Sequence, residues 1–314
     1  MKDARAAVGD RVRSVPVVGL RRRDTATTAR TLGDYIALTK PRLNVLVVAT
    51  SAAGYYLGAN SNGALNLPAM AAAAVGTALV AGGAAALNQV YERDTDALMR
   101  RTRMRPLPDG RVAVADARLF GLLLSAAGLV LLGTLANLLA TALALATLVV
   151  YLIIYTPMKR RSPMATLVGA VPGALPPLIG WVASNGRLSM GGGALFLIVF
   201  LWQIPHFMAI AWMYRDDYGK AGFPMLPVIE PGGQRTGRQA VAYAAALVPA
   251  SLVPTLVGLS GLTYAAVALV LGAALLWLAV RFAATRSDRS ARWLFFASIA
   301  YLPLIWIAMM ADKL

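Results

Sequence analysis

Cysteine is missing from the 314 residues altogether, and histidine occurs once, at His206. The first absence excludes disulfides, thiolate-held metals and a Cys-x-x-Cys-His haem attachment. The second excludes a zinc or iron centre built from several imidazoles. Charge is scarce too: 14% of residues are Asp, Glu, Lys or Arg, where a soluble protein has about a quarter. Acids are the scarcer sign, 14 against 30 basic residues, for a net charge of +16. What fills the chain instead is apolar, 58% of it hydrophobic. That much apolar surface needs lipid as its solvent. In such a chain surplus positive charge reports which side of a membrane the loops occupy, so nucleic acid is not the expected partner.

Apolar stretches predict nine spans, at 43–58, 67–91, 119–135, 138–155, 165–183, 194–214, 240–259, 262–284 and 293–311. Each is about long enough to cross a ~30 Å hydrocarbon core as helix. The third and fourth form one apolar run, 119–156. As a single helix it would be roughly 57 Å long, too long for a bilayer, so it must turn, and Gly133 to Asn137 is the place. With nine spans, 28 of the 30 Lys and Arg fall on one side, Arg187 and Lys313 on the other. The lopsided split predicts an all-α polytopic bundle with its N-terminus cytoplasmic. Residues 1–34 are Arg-rich and polar and read as a disordered cytoplasmic tail, with the nine-helix domain at 35–314. Asp3, Asp10 and Asp24 set that tail apart from acid-poor mitochondrial presequences.

Thirteen of the 14 acids lie on the basic side, and two groups of them close spans. Asn88, Glu92 and Asp96 end the second span at i, i+4 and i+8, within an ~80° arc of one helix face; Asp94 points elsewhere. Asp216 and Asp217 end the sixth. Carboxylates stacked on one face repel unless a cation sits among them. Oxygen donors alone suit Mg²⁺, which takes carboxylates, waters and substrate phosphates. Around them stand Lys40, Arg42, Arg100, Arg101, Arg103, Arg105, Lys159, Arg160 and Arg161. Acids for a divalent cation inside a basic collar point to a diphosphate held as its magnesium complex. The plainer reading is solvated loop charge. Against it stands a repetition: Asp96 is followed by Arg105-Pro-Leu-Pro108, and Asp217 by Pro224-Met-Leu-Pro227, as if two related halves met at one site.

His206 lies in the sixth span, in Trp202-Gln-Ile-Pro-His206-Phe207. If that span continues as helix to Asp217, Trp202, His206, Met213 and Asp217 share a stripe, with His206 roughly 16 Å deeper than Asp217. An ionisable side chain at membrane depth is a functional candidate. A neutral imidazole bonded to a neighbouring helix fits the sequence equally well.

Taken together, these residues resemble the UbiA-type intramembrane prenyltransferases, and among them the protoheme IX farnesyltransferase (haem O synthase) branch. Asn88-x3-Glu92-x3-Asp96-x2-Met99-x-Arg101-Thr102-x2-Arg105-Pro106 is similar to the family's first aspartate-rich motif, with Glu92 where Asp is common. Tyr155-Thr-Pro-Met-Lys159-Arg160, the Gly169–Pro177 stretch with Gly180-Trp181, Trp202-Gln-x-Pro-His206-Phe and Arg215-Asp-Asp-Tyr218 resemble the haem branch; the likeness covers about residues 35–312. The resemblance implies farnesyl transfer from farnesyl diphosphate to the vinyl group of haem b, with water addition, in a bacterial inner membrane with the site facing the cytoplasm. It implies Mg²⁺ on Asn88, Glu92, Asp96, Asp216 and Asp217. It further implies diphosphate on Lys40, Arg42, Arg101, Arg105, Lys159 and Arg160, and haem against His206, Trp202 and Tyr155. Haem A synthase or a terminal oxidase assembly would be the protein partners. The alternatives are a quinone-pathway aromatic prenyltransferase with the same metal site and, from a different class, a cation-coupled transporter.

Overall fold

The computed structural model describes residues 31–60 and 64–314; most of the predicted tail, residues 1–30, lies outside the described residues. The described chain is helical: α1 (Leu32–Leu38), α2 (Pro41–Gly58), α3 (Leu67–Asp96), α4 (Val114–Leu135), α5 (Leu138–Val149), α6 (Thr156–Met158), α7 (Ala165–Asn185), α8 (Met190–Met213), α9 (Arg215–Lys220), α10 (Leu226–Ile229), α11 (Gln234–Ala250), α12 (Val253–Leu256), α13 (Leu262–Thr285) and α14 (Asp288–Ala311). A π-helical segment, Val150–Tyr155, joins α5 to α6. Eight helices or helix pairs among the described residues are long and apolar enough to cross a membrane. The first of the nine expected spans is also a helix, α2. It falls outside those eight, because Arg42, Asn44 and a run of small and hydroxyl residues dilute its apolar content.

Helix formation begins inside the expected tail, since Thr31 leads into α1 and Asp34 is buried. The long apolar run breaks where it was expected to, between Leu135 and Leu138. Asn137 makes the break: its Oδ1 accepts from the Ala140 amide at 2.8 Å, and its Nδ2 donates to the Val182 carbonyl at 2.7 Å. One bond caps α5 and the other ties it to α7.

Without a hydrophobic drive between helices in lipid, close packing needs small residues. The α2–α7 contact is built that way. A methyl group on Gly54 would strike the Pro177 carbonyl, and one on Gly180 would strike the Ser51 carbonyl. The main core joins α7, α8, α11, α13 and α14 around Trp202, Tyr264, Phe282 and Tyr301. At one end of the bundle Lys313 donates to the carbonyls of Tyr56 and Ala59, both at 2.7 Å. The basic loops and α1 gather at the other end of α3. There Gln89 Nε2 donates to the Leu38 carbonyl at 2.7 Å, and Arg111 pairs with the buried Asp34.

Candidate functional site

The last three turns of α3 place Asn88, Glu92 and Asp96 on one buried face, 2%, 4% and 1% exposed. Asp94 points away, its side chain 88% exposed and paired, among the described residues, with Arg93 alone. Buried carboxylates need partners, and each has one. Lys159 Nζ reaches both Glu92 oxygens, at 3.1 and 3.2 Å. Arg105 reaches Asp96 Oδ2 at 2.7 Å. Lys40 donates to Asn88 Oδ1 at 3.3 Å, while Asn88 Nδ2 donates to Thr156 Oγ1 at 3.1 Å. Thr156 passes its own proton to the Tyr151 carbonyl at 2.7 Å, inside the π-helical segment. That segment therefore locks the amide, with Asn88 Oδ1 turned toward the cations.

Local structure explains how the cations arrive. Lys40 stands between α1 and α2 at φ 50°, a left-handed conformation that costs a non-glycine residue about 1–3 kcal/mol. It is held there by α1, which Gln89 and Arg111 pin from two sides. Burial first, then the Arg105 guanidinium, bring the Lys40 ammonium down to about 8, against the opposing pull of Glu92. At Lys159 burial again opposes the charge, but Tyr155, Glu92 and Tyr218 outweigh it and the net direction is up. Arg105 sits in the loop after α3, where Thr102 Oγ1 donates to the Asp96 carbonyl at 2.7 Å. This closes the helix and turns the basic loop back over its end.

The second acidic segment stands apart from the first. Helix α8 stops at Met213, so the expected stripe from Trp202 to Asp217 does not continue; Asp216 and Asp217 belong to the separate α9. Arg215 makes the stop, donating to the Trp212 carbonyl at 2.7 Å and pairing with Asp288 at 2.8 Å. Asp216 is exposed and Asp217 half-buried, and neither side chain has a partner among the described residues. What α9 brings to the first cluster is aromatic. Arg101 lies 4.9 Å from the Tyr214 ring and donates to Tyr218 Oη at 3.4 Å, and Lys159 lies 4.7 Å from the Phe223 ring. Met99, Tyr218, Phe223 and Met225 form a small apolar cluster that seals the two loops together.

Among the described residues no group of three or more acids and histidines is gathered tightly enough to enclose a metal. An all-protein cage is thus not what the chain presents. Two buried carboxylates and an amide oxygen are hard donors suited to Mg²⁺, which usually takes one or two carboxylates and completes its shell with water and substrate phosphate. The donor set fits that kind of shared binding. Of the expected collar, Lys40, Arg101, Arg105 and Lys159 converge on this face or its aromatic rim. Arg42, Arg100, Arg103, Arg160 and Arg161 are exposed and touch neither carboxylate.

Trp202 and His206 stand together on α8, against α14. The His206 ring is sandwiched between Trp202, 5.2 Å between centroids, and Phe295, 5.1 Å. Its Nδ1 lies 2.8 Å from Ser298 Oγ. Ser298 already donates its single proton to the Phe295 carbonyl at 2.7 Å. The hydrogen-bond network therefore assigns the ring proton to Nδ1 and leaves Nε2 with a bare lone pair and no partner among the described residues. Tyr155 is not part of this group. It packs against Gly169 and Tyr151, 6.0 Å from Lys159, on the α3 side of the site. Thr156, Tyr214, Phe223 and Ser298 were not expected from sequence. Tyr218 at least closes the quoted Arg-Asp-Asp-Tyr motif, whereas nothing marks Ser298 among the serines of the apolar helices.

The UbiA prenyltransferase family model matches residues 46–301. The chain is 47% identical over 287 residues to a protoheme IX farnesyltransferase of Solibacter usitatus, covering 89% of this chain and 98% of that protein. It is 45% identical over 296 residues to a protein of the same name from Koribacter versatilis, covering 91% and 94%. Among solved structures, one described as digeranylgeranylglyceryl phosphate synthase is similar with a TM-score of 0.76 at 17% identity, covering 90% of this chain and 98% of that one. A UbiA homologue from Archaeoglobus fulgidus bound to GPP and Mg²⁺ is similar with a TM-score of 0.61 at 17% identity, covering 88% and 99%.

Proposed function

The chain belongs to the UbiA prenyltransferase family, and from that premise we propose that it joins the farnesyl group of farnesyl diphosphate to the vinyl group of haem b, with addition of water, to make haem O. The relatives' shared name supports haem as acceptor over the quinone-pathway and transporter alternatives. The observation that carries the reading is the buried Asn88–Glu92–Asp96 face with a cation on each member.

Asn88, Glu92 and Asp96 would hold Mg²⁺ together with the substrate's own oxygens. When bound, the ion supplies charge neutralisation for the departing diphosphate. Asp217, and then Asp216, would approach only when α9 carries them toward a loaded site. Lys40, Lys159, Arg101 and Arg105 are the fixed cations. Without substrate, Lys159 and Arg105 rest on carboxylates, Lys40 on the Asn88 amide oxygen and Arg101 on the Tyr218 hydroxyl, and all four would turn to diphosphate oxygens when substrate arrives. Reaction begins as the carbon–oxygen bond of the allylic diphosphate breaks, its electron pair leaving with the oxygen. These cations stabilise that charge where it develops, in a site dry enough to strengthen them. The terminal vinyl carbon of haem then attacks the allylic cation. Water captures the new cation beside the ring and releases a proton to solvent.

Tyr214, Tyr218, Phe223 and Tyr155 line the cation side with aromatic faces. Such faces tolerate an allylic cation and exclude the water that would consume it early. Trp202 and His206 would serve the acceptor, the imidazole stacked on Phe295 and held by Ser298. The site would face the cytoplasm of a bacterium's inner membrane, the side that the arginine-rich loops favour. The test is incubation of the purified chain with haem b, farnesyl diphosphate and Mg²⁺, followed by mass spectrometry of extracted haem. Product that forms with Mg²⁺ and stops on chelation supports the reading; unchanged haem overturns it.

A further inference from the structure

Between the end of α8 and the start of α14 lies an open depression of about 310 Å³, lined by Met213, Tyr214, Asp288, Arg292, Phe295 and Phe296. A second, of about 250 Å³, shares Arg292 and Phe296 with it. Two walls of the first connect it to chemistry already described. Phe295 is the ring stacked on His206, and Tyr214 is the ring that carries Arg101. The depression is therefore bordered by one ring that touches the imidazole and another that touches Arg101. Its polar residues are unequal. Asp288 is engaged by Arg215 at 2.8 Å, whereas Arg292 has no ion pair or hydrogen bond among the described residues.

We propose that this groove is where the haem acceptor docks: Phe295, Phe296 and Met213 take the flat apolar macrocycle, and Arg292 pairs with a propionate. This rests on the function proposed above and adds the acceptor's seat to it. Charge and shape select the occupant. A haem is a planar apolar ring with two carboxylates on one edge, and the groove offers aromatic walls with one uncommitted guanidinium at its rim. A carboxylate is the ion that guanidinium grips best, through two parallel hydrogen bonds. With its propionates at the α14 N-terminal rim, the ring's opposite edge, where the vinyl groups are, can turn past Tyr214 toward the cations. Aromatic stacking of His206 behind Phe295 keeps that wall from rotating.

Soret titration of the full-length purified chain tests this, using haem b and haem b dimethyl ester, whose propionates carry no charge. Arg292→Gln should weaken haem b binding about tenfold. It should leave the ester's affinity and the KM for farnesyl diphosphate unchanged, and Arg292→Lys should recover only part of the loss, since an ammonium keeps the charge but not the paired hydrogen bonds. Equal haem b affinity in wild type and Arg292→Gln overturns the proposal. So does equal weakening of haem b and ester, which would mark a structural role. A defect that appears only in vesicles containing phosphatidylglycerol, and not in phosphatidylcholine, would assign Arg292 to lipid headgroups and overturn it as well. A wild-type chain that farnesylates haem while Arg292→Gln behaves normally rejects the groove alone. A wild type that neither binds nor farnesylates haem rejects the function and the groove together.

Discussion

Lys159 Nζ sits 3.1 and 3.2 Å from the two carboxylate oxygens of Glu92, although 67 positions separate the residues. Glu92 is buried and Lys159 lies over the Phe223 ring, which shields the pair from water and so strengthens the attraction between its charges. On the function proposed above, the pair keeps a cation beside the place where diphosphate charge would develop.

Glu92→Gln should reduce turnover at least 100-fold, the range for loss of a preorganised charge in a closed site. It should also lower the melting temperature, because Lys159 is left buried without its anion. In the double variant Glu92→Gln/Lys159→Gln, thermal stability should recover while activity stays lost. Recovery of activity along with stability would mean that the pair is only structural.

Asp34→Asn tests the support beneath Lys40. Arg111 binds Asp34, Asp109 and the Met104 carbonyl, and so fastens α1 to the loop that carries Arg101 and Arg105. Breaking that half-buried pair should cost about 1–3 kcal/mol. It should raise the KM for farnesyl diphosphate severalfold with little change in kcat. A lower melting temperature with an unchanged KM would show that α1 does not position Lys40.

The α2–α7 contact makes a prediction without reference to chemistry. Gly180→Ala should destabilise the bundle by about 1–3 kcal/mol, since the added carbon meets a backbone carbonyl that cannot swing aside. Gly193→Ala, with open space around it, should stabilise α8 by up to about 1 kcal/mol. Melting curves in detergent that rank the two variants the other way would contradict the packing described.

His206→Ala should impair use of haem b and leave farnesyl diphosphate binding intact. The imidazole contacts Trp202, Phe295 and Ser298 and none of the cations. Loss of affinity for both substrates together, with a lower melting temperature, would reduce His206 to a core hydrogen-bonder.

Local rules carried the sequence reading far where the determinant was local. Helical spacing put Asn88, Glu92 and Asp96 on one face and Asp94 off it, and the length of the apolar run forced the turn at Asn137. The reading failed where a distant partner decides. Helix α8 ends at Met213 because Arg215 takes the Trp212 carbonyl and pairs with Asp288, 73 residues away, so Asp217 leaves the expected stripe. Tyr155 and Trp202 are both aromatic residues in apolar helical segments, and only packing shows that Tyr155 sides with Lys159. In the basic collar, charge alone does not distinguish Arg105, which turns onto Asp96, from Arg42 and Arg160, which face outward.

The most direct test of the central claim compares Asp96→Asn with Asp94→Asn. Both substitutions remove one negative charge from the same turn of α3, but Asp96 is 1% exposed against Arg105 and the Asp94 side chain is 88% exposed. Conversion of haem b to its farnesylated product, measured by mass spectrometry in the presence of farnesyl diphosphate and Mg²⁺, should fall at least 100-fold in Asp96→Asn and stay within about twofold of wild type in Asp94→Asn. Equal rates in the two variants would contradict the claim that the buried face of α3 is where the diphosphate is held.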